Sequence, residues 1–191
     1  MDLDITISGI TPMLMHKFSD TDQLRATEGT AVASANTERG TAYEQAQAGI
    51  YYDEGMNIIM PQPNLLRCFM EGGRYFKVGK RQVTTQRESL IPACVDIVAV
   101  AMKLVYTDPW TVDTRPVRIP STGGRILRHR ARFDDWHVSF SLTLDTEILG
   151  PTLLREVIDA AGKRVGLGDF RPACKGPFGR FVVTAWTPQK E

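Results

Sequence analysis

Leu3, Ile5 and Ile7 alternate with Asp4, Thr6 and Ser8, the period-two pattern of a strand with one face in a core. Gly9 to Pro12 breaks that pattern. From Ser19 to about Gly49 the chain is polar, with room for one short helix around Ala42 to Ala48. Asp53, Glu54 and Gly55 form a turn signal between two short strands. Pro61 and Pro63 then punctuate the chain, Asn64 is placed to cap a helix, and Leu65, Leu66, Phe69 and Met70 follow at helical spacing up to Gly72 and Gly73, which end it. Val95 to Tyr106 is a long β-branched run, with the composition of one buried strand. In Trp136 to Leu144 every second residue is apolar, the clearest strand of the chain. Pro151 to Ala161 predicts a helix with proline in its first turn and Gly162 beyond its end. Phe178 to Trp186 predicts a closing strand.

Between these elements lies Thr111 to Phe133, where two arms flank the turn signal Ser121 to Gly124. It reads as a projecting hairpin. Setting the insertions aside, the order is β-α-β-β-α-β, the ferredoxin-like (RRM-like) α+β arrangement of two βαβ halves sharing one antiparallel sheet. We therefore expect a single domain over 1–191. Its insertions fall at about 19–60, acidic and mobile, and at 111–133, a basic hairpin between the second and third strands.

Composition agrees and adds a division of charge. With 191 residues and 42% hydrophobic content the chain can bury one sizeable core. No apolar run approaches a membrane span and the first residues do not resemble a signal peptide, so a soluble, cytoplasmic protein is expected. Cys68, Cys94 and Cys174 are widely spaced and form no CxxC, which points to no metal and no cofactor. The net charge of +1 conceals nine acids against three bases in residues 1–60 and thirteen against twenty in the remainder. The bases gather in three clusters, Arg67 to Arg87, Arg115 to Arg132 and Lys163 to Arg180.

Two of those clusters carry candidate chemistry. In Gly166 to Phe181, glycines stand at 166, 168, 176 and 179, with Arg171, Lys175 and Arg180 between and after them. Gly168, Gly176 and Gly179 could let backbone N–H groups converge on a phosphodiester while the cations supply charge; alternatively the segment is a helix-to-strand connection made of tight turns. It is not a dinucleotide fingerprint, because Arg171 stands where the third glycine belongs. On the hairpin, Arg115, Arg118, Arg125, Arg128, Arg130 and Arg132 are interleaved with apolar residues, with no lysine among them. Arginine pairs bidentately with phosphate and stacks on bases. Such a face is also compatible with simple solvation. Because the hairpin is expected to project, Arg125, Arg128 and Arg130 should be replaceable together without loss of fold.

Three histidines bear on catalysis. His16, beside Lys17 after the first strand, is the one placed where a base could deprotonate a ribose 2′-OH, but histidine in an apolar turn is as often structural. His129 stands among arginines, and His137 faces away from Trp136. Asp134 and Asp135 are neighbours whose side chains on a strand point to opposite faces, so they make no dyad.

Taken together, the glycine-rich segment ending Gly176-Pro-Phe-Gly-Arg-Phe181, the segment Ile59 to Arg67, and the hairpin resemble three parts of the RAMP superfamily of RRM-like CRISPR effector proteins. These are its C-terminal glycine-rich loop, the proline-then-helix segment closing in Arg67, and the thumb. The resemblance rests on about thirty residues, and the chain is shorter than typical members, as a reduced or phage-encoded relative would be. It implies a sequence-tolerant protein that binds single-stranded nucleic acid, RNA rather than ssDNA. Copies would assemble head to tail along the strand, with other subunits of a ribonucleoprotein as further partners. Two alternatives stand beside it. One is a metal-independent endoribonuclease using His16; the other is a non-catalytic adaptor or decoy docked on a CRISPR-type or phage assembly.

Overall fold

The computed structural model describes residues 1–17, 40–118 and 123–189. The mobile insertion expected from residue 19 onward falls outside these residues as far as 39. The described residues form the strands β1 (Asp2–Gly9), β2 (Met13–Met15), β3 (Ile59–Pro61), β4 (Lys77–Val78), β5 (Arg81–Gln82), β6 (Val95–Ile97), β7 (Ala101–Tyr106), β8 (Thr111–Arg118), β9 (Arg125–Phe133), β10 (Trp136–Leu144) and β11 (Phe181–Pro188), and four α-helices. These are α1 (Ala42–Ala48), α2 (Gln62–Gly73), α3 (Ile91–Cys94) and α4 (Pro151–Ala160). The fold is α+β with antiparallel sheets. In the main sheet the strands run β11-β1-β10-β7-β3, and β6 also pairs with β10.

Alternation decides which face of that sheet is dry. Leu3, Ile5, Ile7, Met102, Leu104, Val138, Phe140 and Leu142 are all buried, in one core with Leu65 and Phe69 of α2 and Leu154, Val157 and Ile158 of α4. Each such side chain contributes about 1.5–3 kcal/mol when removed from water. The opposite face carries hydroxyls and carboxylates that bond across strands: Thr6 to Ser139 at 2.9 Å, Ser141 to Asp4 at 2.6 Å and Thr143 to Asp2 at 2.7 Å.

Local expectations held with several changes. Thr41 and Glu44 form a capping box on α1. The α2 helix starts two residues before Asn64, with Pro61 as its cap residue, so Asn64 is no cap. The run expected as one strand from Val95 to Tyr106 is broken at 98–100, leaving Val98 and Val100 exposed. After α4 the chain widens into a single π turn, Ala161–Val165. A larger departure concerns Met13 to Met15, expected as an apolar turn: it is a strand, and it pairs with β9 to make a second sheet, β2-β9-β8.

Candidate nucleic-acid interface

The second sheet fixes what the hairpin's arginines can do. Antiparallel partners share a face, and the register pairs Asp113 with Arg130, Arg115 with Arg128 and Arg118 with Arg125. Thr111, Asp113, Arg115, Arg128, Arg130 and Arg132 therefore share one face, which is turned toward the glycine-rich loop. There Arg130 donates from Nε to Asp169 Oδ2 at 2.6 Å, and the guanidinium of Arg115 lies 4.8 Å from the centre of the Phe178 ring while its Nε donates to the buried Asp113. Arg132 donates to Asp134 at 2.6 Å. Arg130 is only 4% exposed. The expectation of a freely projecting hairpin is thus corrected at its root, where β2 and the loop cover it and Arg130 is a packed, ion-paired residue. Arg118 and Arg125 at the far end are exposed.

The glycine-rich loop is held mainly by its own backbone. Asp169 donates to the Leu14 carbonyl at 2.7 Å, Gly179 to Pro12 at 2.7 Å, Leu167 to Gly179 at 2.8 Å, Gly176 to Arg171 at 2.9 Å and Phe178 to Phe170 at 3.3 Å. A Cβ on Gly176 would overlap the Phe170 carbonyl, and one on Gly179 (φ +69°) the Leu167 carbonyl. Both glycines are required by this close approach of one backbone to another, so their N–H groups are already spent inside the protein. Gly168 (φ +75°) is pressed in the same way against the Leu14 carbonyl, and in addition it lines a cleft. Arg171 donates to its carbonyl at 2.9 Å, while Lys175 and Arg180 are exposed on the outer side of the loop.

That cleft, of about 260 Å³, is where three distant segments meet. Arg67, Asn64 and Glu71 come from α2, Arg128 from the hairpin, and Gly166 to Asp169 with Arg171 from the loop; His16 and Tyr51 close it. Arg128 lies 3.1 Å from His16 Nε2. A guanidinium can only donate, so in this arrangement His16 Nε2 accepts. Burial alone would raise the Asp169 carboxyl, but the Arg130 guanidinium and the Phe170 N–H outweigh it and hold the group below the ordinary carboxylate value. The Cys68 thiol behind the cleft is pushed up to about 12 by burial and donates toward the Gly166 carbonyl at 3.3 Å. It is inert. Of the expected residues, Arg67, Arg128, Gly168, Arg171 and His16 are brought together here; Arg118, Arg125, Lys175, Gly176, Gly179 and Arg180 are not. Asn64, Glu71 and Asp169 were missed in the sequence, where each reads as an ordinary helix or loop residue.

A search of the solved structures finds a chain from the cryo-EM structure of the Type III-B Cmr-beta bound to cognate target RNA, with a TM-score of 0.59 and 11% identity, over 97% of this chain. The likeness is one of fold. The present chain spans 59% of the length of that one. No family model and no curated protein matches. The open face of the main sheet, where RRM-type proteins stack bases on aromatic residues, presents Asp2, Asp4, Thr6, Ser139 and Ser141 instead. Among the described residues no group of His, Cys, Asp and Glu could hold a metal ion, and no helix is long and apolar enough to cross a membrane.

Proposed function

We propose that the chain binds single-stranded nucleic acid, RNA in preference to ssDNA, in the cleft between the hairpin and the glycine-rich loop. On this reading the scaffold is ferredoxin-like. The path β11-β1-β10-β7 follows the order of two interleaved βαβ units, with β3 added at one edge. The observation that carries the function is the convergence of Arg67, Arg128 and Arg171, from three separate segments, on one cleft beside the Gly168 backbone. The two carboxylates in its wall are already engaged, Glu71 by Arg67 and Arg74 and Asp169 by Arg130. The likeness in fold to a chain from an RNA-bound assembly supports the same reading, as does the resemblance of the sequence to RAMP proteins. Copies would lie head to tail along one strand, in company with other ribonucleoprotein subunits.

Anisotropy titration with labelled RNA and DNA of equal sequence tests this. RNA should bind more tightly, and the affinity should fall with salt at a log–log slope near −0.7 for each phosphate neutralised. An affinity indifferent to salt would contradict the electrostatic account. Absence of binding by either strand would favour the adaptor reading.

One observation supports the endoribonuclease alternative: His16 stands in the cleft wall. Its Nε2 lone pair, however, is turned to Arg128 rather than left for a substrate hydroxyl. Cleavage that survives EDTA and disappears in His16→Ala, with binding retained, would establish the enzyme.

A further inference from the structure

The basic cluster Arg67 to Arg87 is used by the cleft only through Arg67, and Lys163 and Arg164 not at all. These two unused sets are neighbours in space. Along α2 and onto its cap residue, Arg67, Glu71 and Arg74 form one charged stripe, with Glu71 half-buried and bridged to each exposed arginine at 3.0 Å. The stripe leads out of the cleft over about 10 Å of helix to Tyr75, a residue 50% exposed. On the facing wall, Val165 and Gly166 line the cleft, and the two residues before them are Lys163 and Arg164. The two walls join where the Arg164 guanidinium lies 4.4 Å from the centre of the Tyr75 ring. Beyond Tyr75, the small β4–β5 hairpin holds up Lys77 and Lys80, both exposed. Among the described residues none of Lys77, Lys80, Lys163 and Arg164 is ion-paired.

The local backbone explains why Lys163 and Arg164 emerge there. Gly162 is pressed against Phe181, and Ala161 against Gly72, so the chain cannot turn those two positions outward. The π turn buries Ala161, Gly162 and Val165 and leaves Lys163 and Arg164 on the surface. Single π turns are rare and concentrate at functional sites.

We propose that a single RNA strand held in the cleft continues out of it along this second track. Arg74, Lys77, Lys80 and Lys163 meet successive phosphates, and the Arg164–Tyr75 stack accepts a base. A cationic surface alone would suit an acidic protein equally. The stacked guanidinium and ring favour a nucleobase, because a flat π system extends such a stack whatever its sequence. The continuity of both walls with the cleft favours the same strand over a separate partner. This inference rests on the cleft binding nucleic acid, and it sets a footprint longer than the cleft.

Two variants test it: Lys163→Ala with Arg164→Ala, and Lys77→Glu with Lys80→Glu on the exposed hairpin, each checked by circular dichroism. Each is titrated with labelled RNAs of about six and about 20 nucleotides, lengths chosen around the range of single-strand sites. The parent should bind the longer RNA more tightly. Both variants should bind it about tenfold more weakly with a shallower salt slope, while the short RNA is held as by the parent. Equal affinity of parent and variants for the long RNA overturns the track. So does an equal loss on both lengths, which would assign these residues to the cleft or to the fold. If the parent binds neither RNA, the cleft reading itself fails, and the track with it.

Discussion

At the root of the β8–β9 hairpin, Arg115, Arg130 and Arg132 each hold a carboxylate, those of Asp113, Asp169 and Asp134. At its far end Arg118 and Arg125 sit directly opposite one another, exposed, with no ion pair among the described residues. The residue type is the same in both places. What differs is the face and the surroundings: Arg115 and Arg130 are on the face that meets the glycine-rich loop, whereas Arg118 and Arg125 stand on the other face and are exposed. At the root the arginines are held by the protein itself, and Arg130 ties the hairpin to the glycine-rich loop, while the exposed pair at the tip is left for something outside it. The glycine-rich loop belongs with the root. Its glycines let the loop pack backbone to backbone on itself and on residues 12–14, and thereby hold the cleft wall in place.

The largest effect should come from breaking the root at Gly179. Gly179→Val places a β-branched side chain at φ +69° against the Leu167 carbonyl, where neither backbone can yield without losing the bonds from Gly179 to Pro12 and from Leu167 to Gly179. The expected loss is about 4 kcal/mol or more, a fall of roughly 8–16 °C in Tm for a domain of this size. Gly79→Val is the control. It has a similar φ of +59° but nothing within 4 Å, so it should cost only about 1–2 kcal/mol. Equal melting of the two variants would show that close approach is not what the loop glycines serve.

Next comes the Arg130–Asp169 pair. Asp169→Asn leaves a buried guanidinium without its counter-charge and should cost about 3 kcal/mol in urea unfolding at neutral pH. The pH dependence sharpens this. The Asp169 carboxyl is lowered in the folded protein, so its contribution is complete above the unfolded value, near 3.9, and is lost as pH falls through the lower folded value. The parent should therefore lose stability below about pH 4 more steeply than Asp169→Asn, and the two should converge in acid. Parallel acid limbs would remove the pair from the account.

Much of this was legible in the chain. Alternation located β1 and β10, the turn signal at 121–124 located the hairpin, and proline with a closing glycine located α4. What escaped was set by partners far away in sequence. Met13, Leu14 and Met15 show no period, because all three are buried once β9 and the loop close over them. The contact between Arg130 and Asp169 spans 39 positions. A glycine needed for a ligand and one needed for a neighbouring backbone read alike, which is why Gly176 and Gly179 looked like phosphate-facing positions. The cleft showed itself only through Arg67, Arg128, Gly168, Arg171 and His16 singly. Its other wall residues, Asn64 and Glu71, looked like helix punctuation and helix surface.

The smallest effect on stability, and the cleanest test of the tip, is expected from Arg118→Ala with Arg125→Ala. Like charges directly opposite on a strand pair destabilise it by a few tenths of a kcal/mol, up to about 1, and here the register sets the two arginines opposite each other. Folding gains nothing from that pair. Their removal should leave the melting temperature unchanged or slightly raised, in contrast to any change at the root. If the tip meets the bound strand, affinity for RNA should nonetheless fall about tenfold and the salt slope should lose about 0.7 for each phosphate released. Anisotropy and thermal melting of the same preparation separate the two effects. A variant that melts like the parent and binds like the parent would leave the tip arginines outside the interface, and would confine RNA contact to the cleft and the segments that lead from it.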